Sequence, residues 1–338
     1  MMQFTRRNFL QSSLAMGLVA AAEATRSRWL LSSALPVRIG IAGLGASATQ
    51  HLALFAAIPG AEIAGLADSE PTRTAQALRQ LRELGQGVPA VYRDLDRMLG
   101  NPTLQAISLP NETAETGSIL HRVIAAGLPV LSDFPPSVES PESVRLYEAV
   151  LGAPAPVHFR LADFTYPTSA SDLMAWLKRS GSKTAEAHLF IPRMATMQEL
   201  RVAAIAATDA LLAASSLSPD RLIRWVGTKD ARSKMSAAGT IGNIALPQNS
   251  FGISALRVHL LGVLQQNSKL VVQHRSGSME FAISSQPDAD SSLQTAMKFL
   301  NCARRPSRTN NVIGSRAHVA AAVVDHMMNH LSPARLYR

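Results

Sequence analysis

The chain has 338 residues, 47% of them hydrophobic and 17% charged, which excludes a disordered or coiled-coil protein and suggests two domains of roughly 150 residues. Its net charge of +9 is carried mostly by arginine: 27 of the 33 basic residues are Arg, the earliest lysine is Lys178, and aromatics are only 5%. That composition, whose densest basic patch is Arg304, Arg305 and Arg308, lacks the clustered cations and stacking rings of a nucleic-acid surface. A single cysteine, Cys302, excludes an intrachain disulfide and a multi-cysteine metal site, and no apolar run reaches the ~20 residues of a membrane span.

Residues 1–24 read as an export signal. Thr5-Arg6-Arg7-Asn8-Phe9-Leu10-Gln11 precedes an apolar stretch of small residues from Leu14 to Ala22, and Ala22-Glu23-Ala24 offers an A-x-A-like cleavage point. The paired arginines ahead of Phe9-Leu10 resemble the twin-arginine signal. The resemblance implies the twin-arginine translocation machinery as a partner, passage in the folded state with cofactor loaded, and a periplasmic or other extracytoplasmic location. A lone cysteine suits an oxidising compartment. The alternative is a basic amphipathic N-terminal helix.

Val37-Arg38-Ile39-Gly40-Ile41-Ala42 has the apolar, β-branched character of a buried parallel strand. It runs into Gly43-Leu44-Gly45-Ala46-Ser47-Ala48, a G-x-G-x-x-A turn, and then a helix to about Ile58 that Pro59-Gly60 stops. A second strand, Glu62 to Ala67, ends at Asp68. Gly43 permits the tight turn, Gly45 lets backbone approach a pyrophosphate, and Ala48 lets helix and strand pack closely. The helix N-terminus offers free N–H groups and a positive dipole end. Asp68 stands 20 residues after Ala48, where a carboxylate accepts from ribose hydroxyls. The pattern therefore predicts a dinucleotide site for NAD(P). NAD is preferred, because Asp68 repels a 2′-phosphate, while Arg73 leaves room for dual use.

The alternation continues with a helix over Thr72–Leu84, a strand at Ala90–Tyr92, a helical turn at Leu95–Leu99 and a strand at Leu104–Leu109 ending in Pro110-Asn111. A helix over Thr113–Ala126, a strand at Val130-Leu131 ending in Asp133-Phe134-Pro135-Pro136, and a helix over Glu142–Leu151 complete it. This predicts an α/β Rossmann domain over residues 35–153, a doubly wound parallel sheet with right-handed crossovers. The Pro154/Pro156 stretch marks the expected boundary. Beyond it, over residues 154–338, strands read at Val157–Leu161, Ala185–Ile191, Arg221–Gly227, Leu270–His274 and Met279–Ser284, with helices at Ser171–Arg179 and Leu200–Ala214. Few crossovers predict an α+β domain with an open, mostly antiparallel sheet. A final amphipathic pair, Ser292–Cys302 and Gly314–His330, is expected to return to the first domain. In that last helix His326 and His330 stand one turn apart beside Asp325, but without the glutamate of H-E-x-x-H they read as a helix end, and no metal is expected. Cys302, in an apolar helical stripe, reads as an inert thiol.

Gly43-x-Gly45-x-x-Ala48-x-x-His51, Ala67-Asp68 with Arg73 behind it, Pro110-Asn111, and Phe299-Leu300-Asn301-Cys302 before Ile313-Gly314-Ser315-Arg316 form an ordered set. Over residues 36–330 that set resembles the glucose–fructose oxidoreductase and inositol dehydrogenase (Gfo/Idh/MocA) family. The resemblance implies hydride transfer between NAD(P) and a small-molecule substrate, often a sugar, in a cleft between two domains, and a homo-oligomer through the C-terminal sheet. It implies cofactor contacts from Gly43, Leu44, Gly45, Ala46, Ser47, Ala48, Asp68, Arg73, Pro110, Asn111, Asp133, Phe134 and Pro135.

This chain departs from the family where the chemistry lies. Asp133-Phe134-Pro135 stands where the family carries Glu-Lys-Pro, whose lysine is the acid/base. Ala204, Ala206 and Asp209 fall on the glycine, histidine and last aspartate of its Asp-x-Gly-x-His-x-x-Asp helix. Glu112, Thr113 and Ala114 occupy the stretch where another histidine is common. Sugar oxidation needs a group to take the hydroxyl proton, so the sugar-dehydrogenase site is expected to be degenerate. Asp133 is expected to stay with the cofactor. Arg160, Asp163, Tyr166 and Asp209 are the polar residues expected to face the cleft, and Asp133, Arg160, Tyr166 and Asp209 are the catalytic candidates. Three readings stand: an oxidoreductase with altered chemistry, a tetrapyrrole reductase resembling biliverdin reductase that acts on a flat conjugated acceptor, and a non-catalytic dinucleotide-binding protein. Phe134 and the Ala203–Ala207 run fit the second.

Overall fold

A computed structural model of the chain describes residues 35–110, 116–133, 135, 140–160, 175, 184–192, 197–214, 240–245, 252–261, 268–274, 277–283, 289–304 and 311–329. They fall into two compact units. The first comprises the chain up to Asp133 with Gly152–Arg160 and Asp288–Asn311; the second comprises Phe134–Leu151, Leu161–Pro287 and Val312–Arg338.

In the first unit, β1 (Val37–Ala42), α1 (Ala48–Ala57), β2 (Ala61–Ala67), α2 (Pro71–Glu83), β3 (Ala90–Tyr92), α3 (Leu95–Leu99), β4 (Ala106–Leu109), α4 (Thr116–Ala125) and β5 (Val130–Ser132) follow one another. With β6 (Val157–Phe159) the strands form a six-stranded sheet in the order β3-β2-β1-β4-β5-β6. Every pairing is parallel. The order reverses beside β1, the place where open α/β sheets bind ligands at their strand C-termini. Local chemistry sets the helix starts. Pro71 opens α2 behind Glu70, whose carboxylate accepts from Thr72, and the Asp94 side chain caps α3 by accepting from the Arg97 N–H at 2.8 Å.

Two expectations change here. The strand beginning at Val157, expected in the second domain, pairs in parallel with β5 (Val130↔Val157) as the last strand of the first sheet. The boundary expected at Pro154/Pro156 is therefore replaced by a division that the chain crosses more than once. Of the final pair of helices, only α7 (Ala289–Arg304) belongs to the first unit. Its Leu293, Ala296, Phe299 and Leu300 share one buried cluster with Ile39, Ile41, Leu52 and Phe55. The Phe299 ring lies 6.5 Å from that of Phe55 and meets His158 edge-on at 5.9 Å.

The second unit holds most of α5 (Ser140–Gly152), with β7 (Thr184–Pro192), α6 (Met197–Ala214), β8 (Thr240–Ala245), β9 (Gly252–Leu261), β10 (Ser268–His274), β11 (Gly277–Ile283) and α8 (Asn311–Asn329). The strands order as β11-β10-β7-β9-β8. Only β7 and β9 run parallel; the other three pairings are antiparallel. α6 packs on β7 and β11. It is joined to α8 by Arg201, which grips both Asp325 carboxylate oxygens at 2.6 and 2.9 Å, and by a second forked pair between Asp209 and Arg316. The fold is thus a Rossmann α/β unit with an α+β unit built on a mostly antiparallel sheet. The strand expected at Arg221–Gly227 lies outside the described residues.

Candidate functional site

The glycine turn joins β1 to α1. Gly43 sits at φ +83°, left-handed backbone that a Cβ disfavours, and its N–H donates to the Ala67 carbonyl at 2.8 Å. That bond ties the loop to the end of β2, where Asp68 begins. The Asp68 side chain is only 4% exposed. Its Oδ2 accepts the Leu44 N–H at 2.6 Å and its Oδ1 the Glu70 N–H at 2.8 Å, while the Arg73 guanidinium stands 3.8 Å away. The carboxylate expected to meet ribose hydroxyls also fastens the glycine loop. A cavity of about 600 Å³ opens beside it, lined by Leu44, Gly45 and Ala46 of the loop, Leu52 of α1, and Arg73 and Gln80 of α2.

Ser47 is the residue before α1, a position where a serine ordinarily accepts from the helix's own first N–H groups. Here its side chain makes no such cap. It lies instead on the side of Asp133, just past β5, and helps to hold that carboxyl down. One turn into α1, His51 is fully buried, its Nε2 2.6 Å from Asp133 Oδ1 and its Nδ1 2.6 Å from the Ser108 hydroxyl on β4. Arg160, just past β6, donates through Nη1 to the same Asp133 oxygen at 2.9 Å and through Nη2 to Ser292 of α7 at 3.0 Å. Arg160 Nη1 also lies 2.8 Å from His51 Nε2, so the guanidinium, the imidazole and the Asp133 carboxylate form one buried cluster. Burial pushes the Asp133 carboxyl up, but the His51 and Arg160 charges and the hydrogen bonds from His51 and Ser47 outweigh it, so the group lies below its ordinary value.

These placements revise the expected roles. Arg160, expected to face a cleft from the second domain, belongs to the first unit and is buried against Asp133. Asp133, expected to stay with the cofactor, is buried and bound within the protein. Asp209 spends both carboxylate oxygens on Arg316, at 2.8 and 3.1 Å. Pro110 is buried at the end of β4, and the Pro135 carbonyl accepts from Arg201 at 3.3 Å. Asn111, Phe134, Asp163, Tyr166 and His330 lie outside the described residues. Among the described residues no cluster of His, Cys, Asp or Glu could hold a metal ion. Sequence reasoning missed Ser108 and Ser292 altogether. The one available signal was a polar residue at the end of an otherwise apolar strand, as in Ala106-Ile107-Ser108-Leu109.

Residues 37–158 match the family model GFO_IDH_MocA, described as "Oxidoreductase family, NAD-binding Rossmann fold". No curated protein matches the chain in sequence. Among solved structures, a dehydrogenase from Chromobacterium violaceum is similar at a TM-score of 0.63 and 14% identity, over 90% of this chain and 97% of its own. The myo-inositol dehydrogenase of Lactobacillus casei, solved with NAD(H) and myo-inositol, is similar at 0.60 and 13%, over 90% of this chain and 100% of its own. A 3-ketoreductase from Actinomadura kijaniata, solved with NADP and TDP-benzene, gives 0.55 and 14%, over 87% and 97%. At these identities the likeness is one of fold. The sequence match is confined to residues 37–158, and over the rest of the chain the likeness is one of fold alone.

Proposed function

We propose that the chain is an NAD(P)-dependent oxidoreductase of the Gfo/Idh/MocA type, with NAD(H) preferred and with the family's sugar-type proton-transfer site degenerate. The observation that carries the binding reading is the start of α1. Its own serine makes no side-chain cap, which leaves the helix N-terminus open to an anion beside a cavity bounded by Gly45 and Ala46. Leu44, Gly45, Ala46, Ser47 and Ala48 would hold the pyrophosphate, and Asp68 the ribose. When bound, the nicotinamide supplies or accepts hydride. Asp68 supports the NAD preference, because a 2′-phosphate beside it would meet a carboxylate only partly offset by Arg73 at 3.8 Å.

The chain's own contribution to proton transfer is small. Phe134 replaces the family's lysine and has no proton to give. Asp133 is held ionised and already engaged by His51 and Arg160, which makes it a poor proton acceptor at neutral pH. That favours an acceptor needing hydride more than protein-supplied protons, so a flat conjugated molecule of the linear tetrapyrrole class is the second reading.

Titrating NADH and NADPH onto wild type and Asp68→Ala tests the binding. The expected result is tighter NADH than NADPH in wild type and a narrowed gap in the variant; binding of neither would sink the site. A panel of aldoses, inositols and a linear tetrapyrrole, run on wild type and Phe134→Lys, tests the chemistry. Wild type is expected to turn over sugars ~10²–10⁴-fold below an enzyme with an acid/base in place. Robust sugar turnover refutes the degenerate reading, chromophore reduction promotes the second, and tight NADH with no turnover favours a binding protein. We further propose twin-arginine export on the strength of Arg6-Arg7-Asn8-Phe9-Leu10. Arg6→Lys/Arg7→Lys should trap folded protein in the cytoplasm, and unchanged export would overturn that assignment.

A further inference from the structure

A carboxylate lies against the start of α1. His51, one turn into that helix, holds Asp133 at 2.6 Å, so a negative charge stands beside the helix end that must attract a pyrophosphate. Left alone, that charge would oppose the helix dipole and repel the ligand. It is not left alone. Arg160 reaches it at 2.9 Å and His51 at 2.6 Å, both buried, and each is braced from a different element: His51 by Ser108 of β4, Arg160 by Ser292 of α7. Among the described residues, these are the titratable and charged groups that face Asp133.

We propose that Arg160 is a positioning and charge-balancing residue for the dinucleotide: it cancels the Asp133 charge near the start of α1, so that Asp133 can fasten His51 of that helix without repelling the pyrophosphate. This rests on the proposed dinucleotide binding and adds what that reading does not contain, a reason for a buried arginine near that helix. His51 supplies the second hydrogen bond that fixes the carboxylate. The arrangement separates two jobs that a lone carboxylate would set against each other, holding the start of α1 and admitting an anion.

The experiment measures dissociation constants for NADH and for ADP-ribose, which keeps the pyrophosphate and lacks the nicotinamide, from pH 5.5 to 8.5. The proteins are wild type, Arg160→Met, Asp133→Asn and the double variant, each with its thermal midpoint recorded. Wild type should bind with little dependence on pH. Arg160→Met should weaken both ligands about tenfold at pH 8, and the loss should shrink as pH falls and Asp133 takes a proton. Asp133→Asn should lower the thermal midpoint yet bind both ligands as tightly as wild type or tighter, since a buried cation is now unbalanced. The double variant should recover wild-type affinity without recovering stability. Should Arg160→Met not fold, Asp133→Asn and the double variant still decide the matter, because affinity and stability must move apart. Weakening by Asp133→Asn equal to its loss of stability, or a pH-independent loss in Arg160→Met, overturns the charge role while dinucleotide binding stands. A wild type that binds neither ligand overturns both.

Discussion

His158 shows how a single side chain sets a stability profile. Burial and the nearby Lys298 charge lower it to about 4, its ring packs edge-on against Phe299, and its Nε2 is buried without a hydrogen-bond partner. The folded protein therefore keeps this imidazole neutral where the unfolded chain would charge it. Stability from this residue is complete above about pH 6.5, falls as pH drops toward 4, and changes no further below. His158→Phe keeps a ring on Phe299 and removes the titration. Denaturant midpoints measured from pH 7.5 to 4 should fall less steeply in the variant, by up to about 3 kcal/mol across the window. Parallel curves would show that His158 does not titrate across the transition. Asp133 has the opposite chemistry with the same outcome in acid: its folded value is depressed, so the stability it adds is lost as pH falls below the ordinary carboxylate range.

At the scale of an element, the caps of the first unit differ in quality. Asp94 accepts the Arg97 N–H at 2.8 Å and closes the short helix α3. Glu70 reaches the Thr72 N–H only at 3.5 Å, and Pro71 already fixes the first helical turn of α2. Asp94→Ala should cost about 1 kcal/mol in urea unfolding, and Glu70→Ala distinctly less. Equal losses would mean that the tight cap carries no more weight than the loose one. The same local chemistry explains what could be read from the sequence. The strand, glycine turn, helix and spaced Asp68 are contiguous, and the structure places them as their spacing implies. β6 was readable as a strand, but Val-His-Phe carries no mark of which sheet will pair it. β8 and β9, with glycines at Gly242 and Gly252 and an arginine inside β9, lack the clean alternation that announces a strand. The cluster around Asp133 was illegible for another reason. His51, Ser108, Asp133, Arg160 and Ser292 come from five places in the chain, and it takes the parallel sheet's strand order and α7 to bring them together.

Across the whole molecule, the first unit is completed from far down the chain. Phe299 fills the space against Phe55 and His158, and Arg304 of the same helix donates to the Gly60 carbonyl at 3.2 Å. Phe299→Ala should destabilise that unit by about 3–5 kcal/mol, seen as an early transition in urea. A loss confined to the second unit would place α7 wrongly. The helix also has a consequence for how the protein is made. A ribosome adds roughly 5–20 residues per second, so on the order of ten seconds separates the emergence of β6 from that of α7. Throughout that interval the growing polypeptide carries a nearly finished sheet whose apolar flank has no lid, a surface for chaperones to hold. The unit whose strands emerge first is thus completed only after most of the second unit's strands have followed.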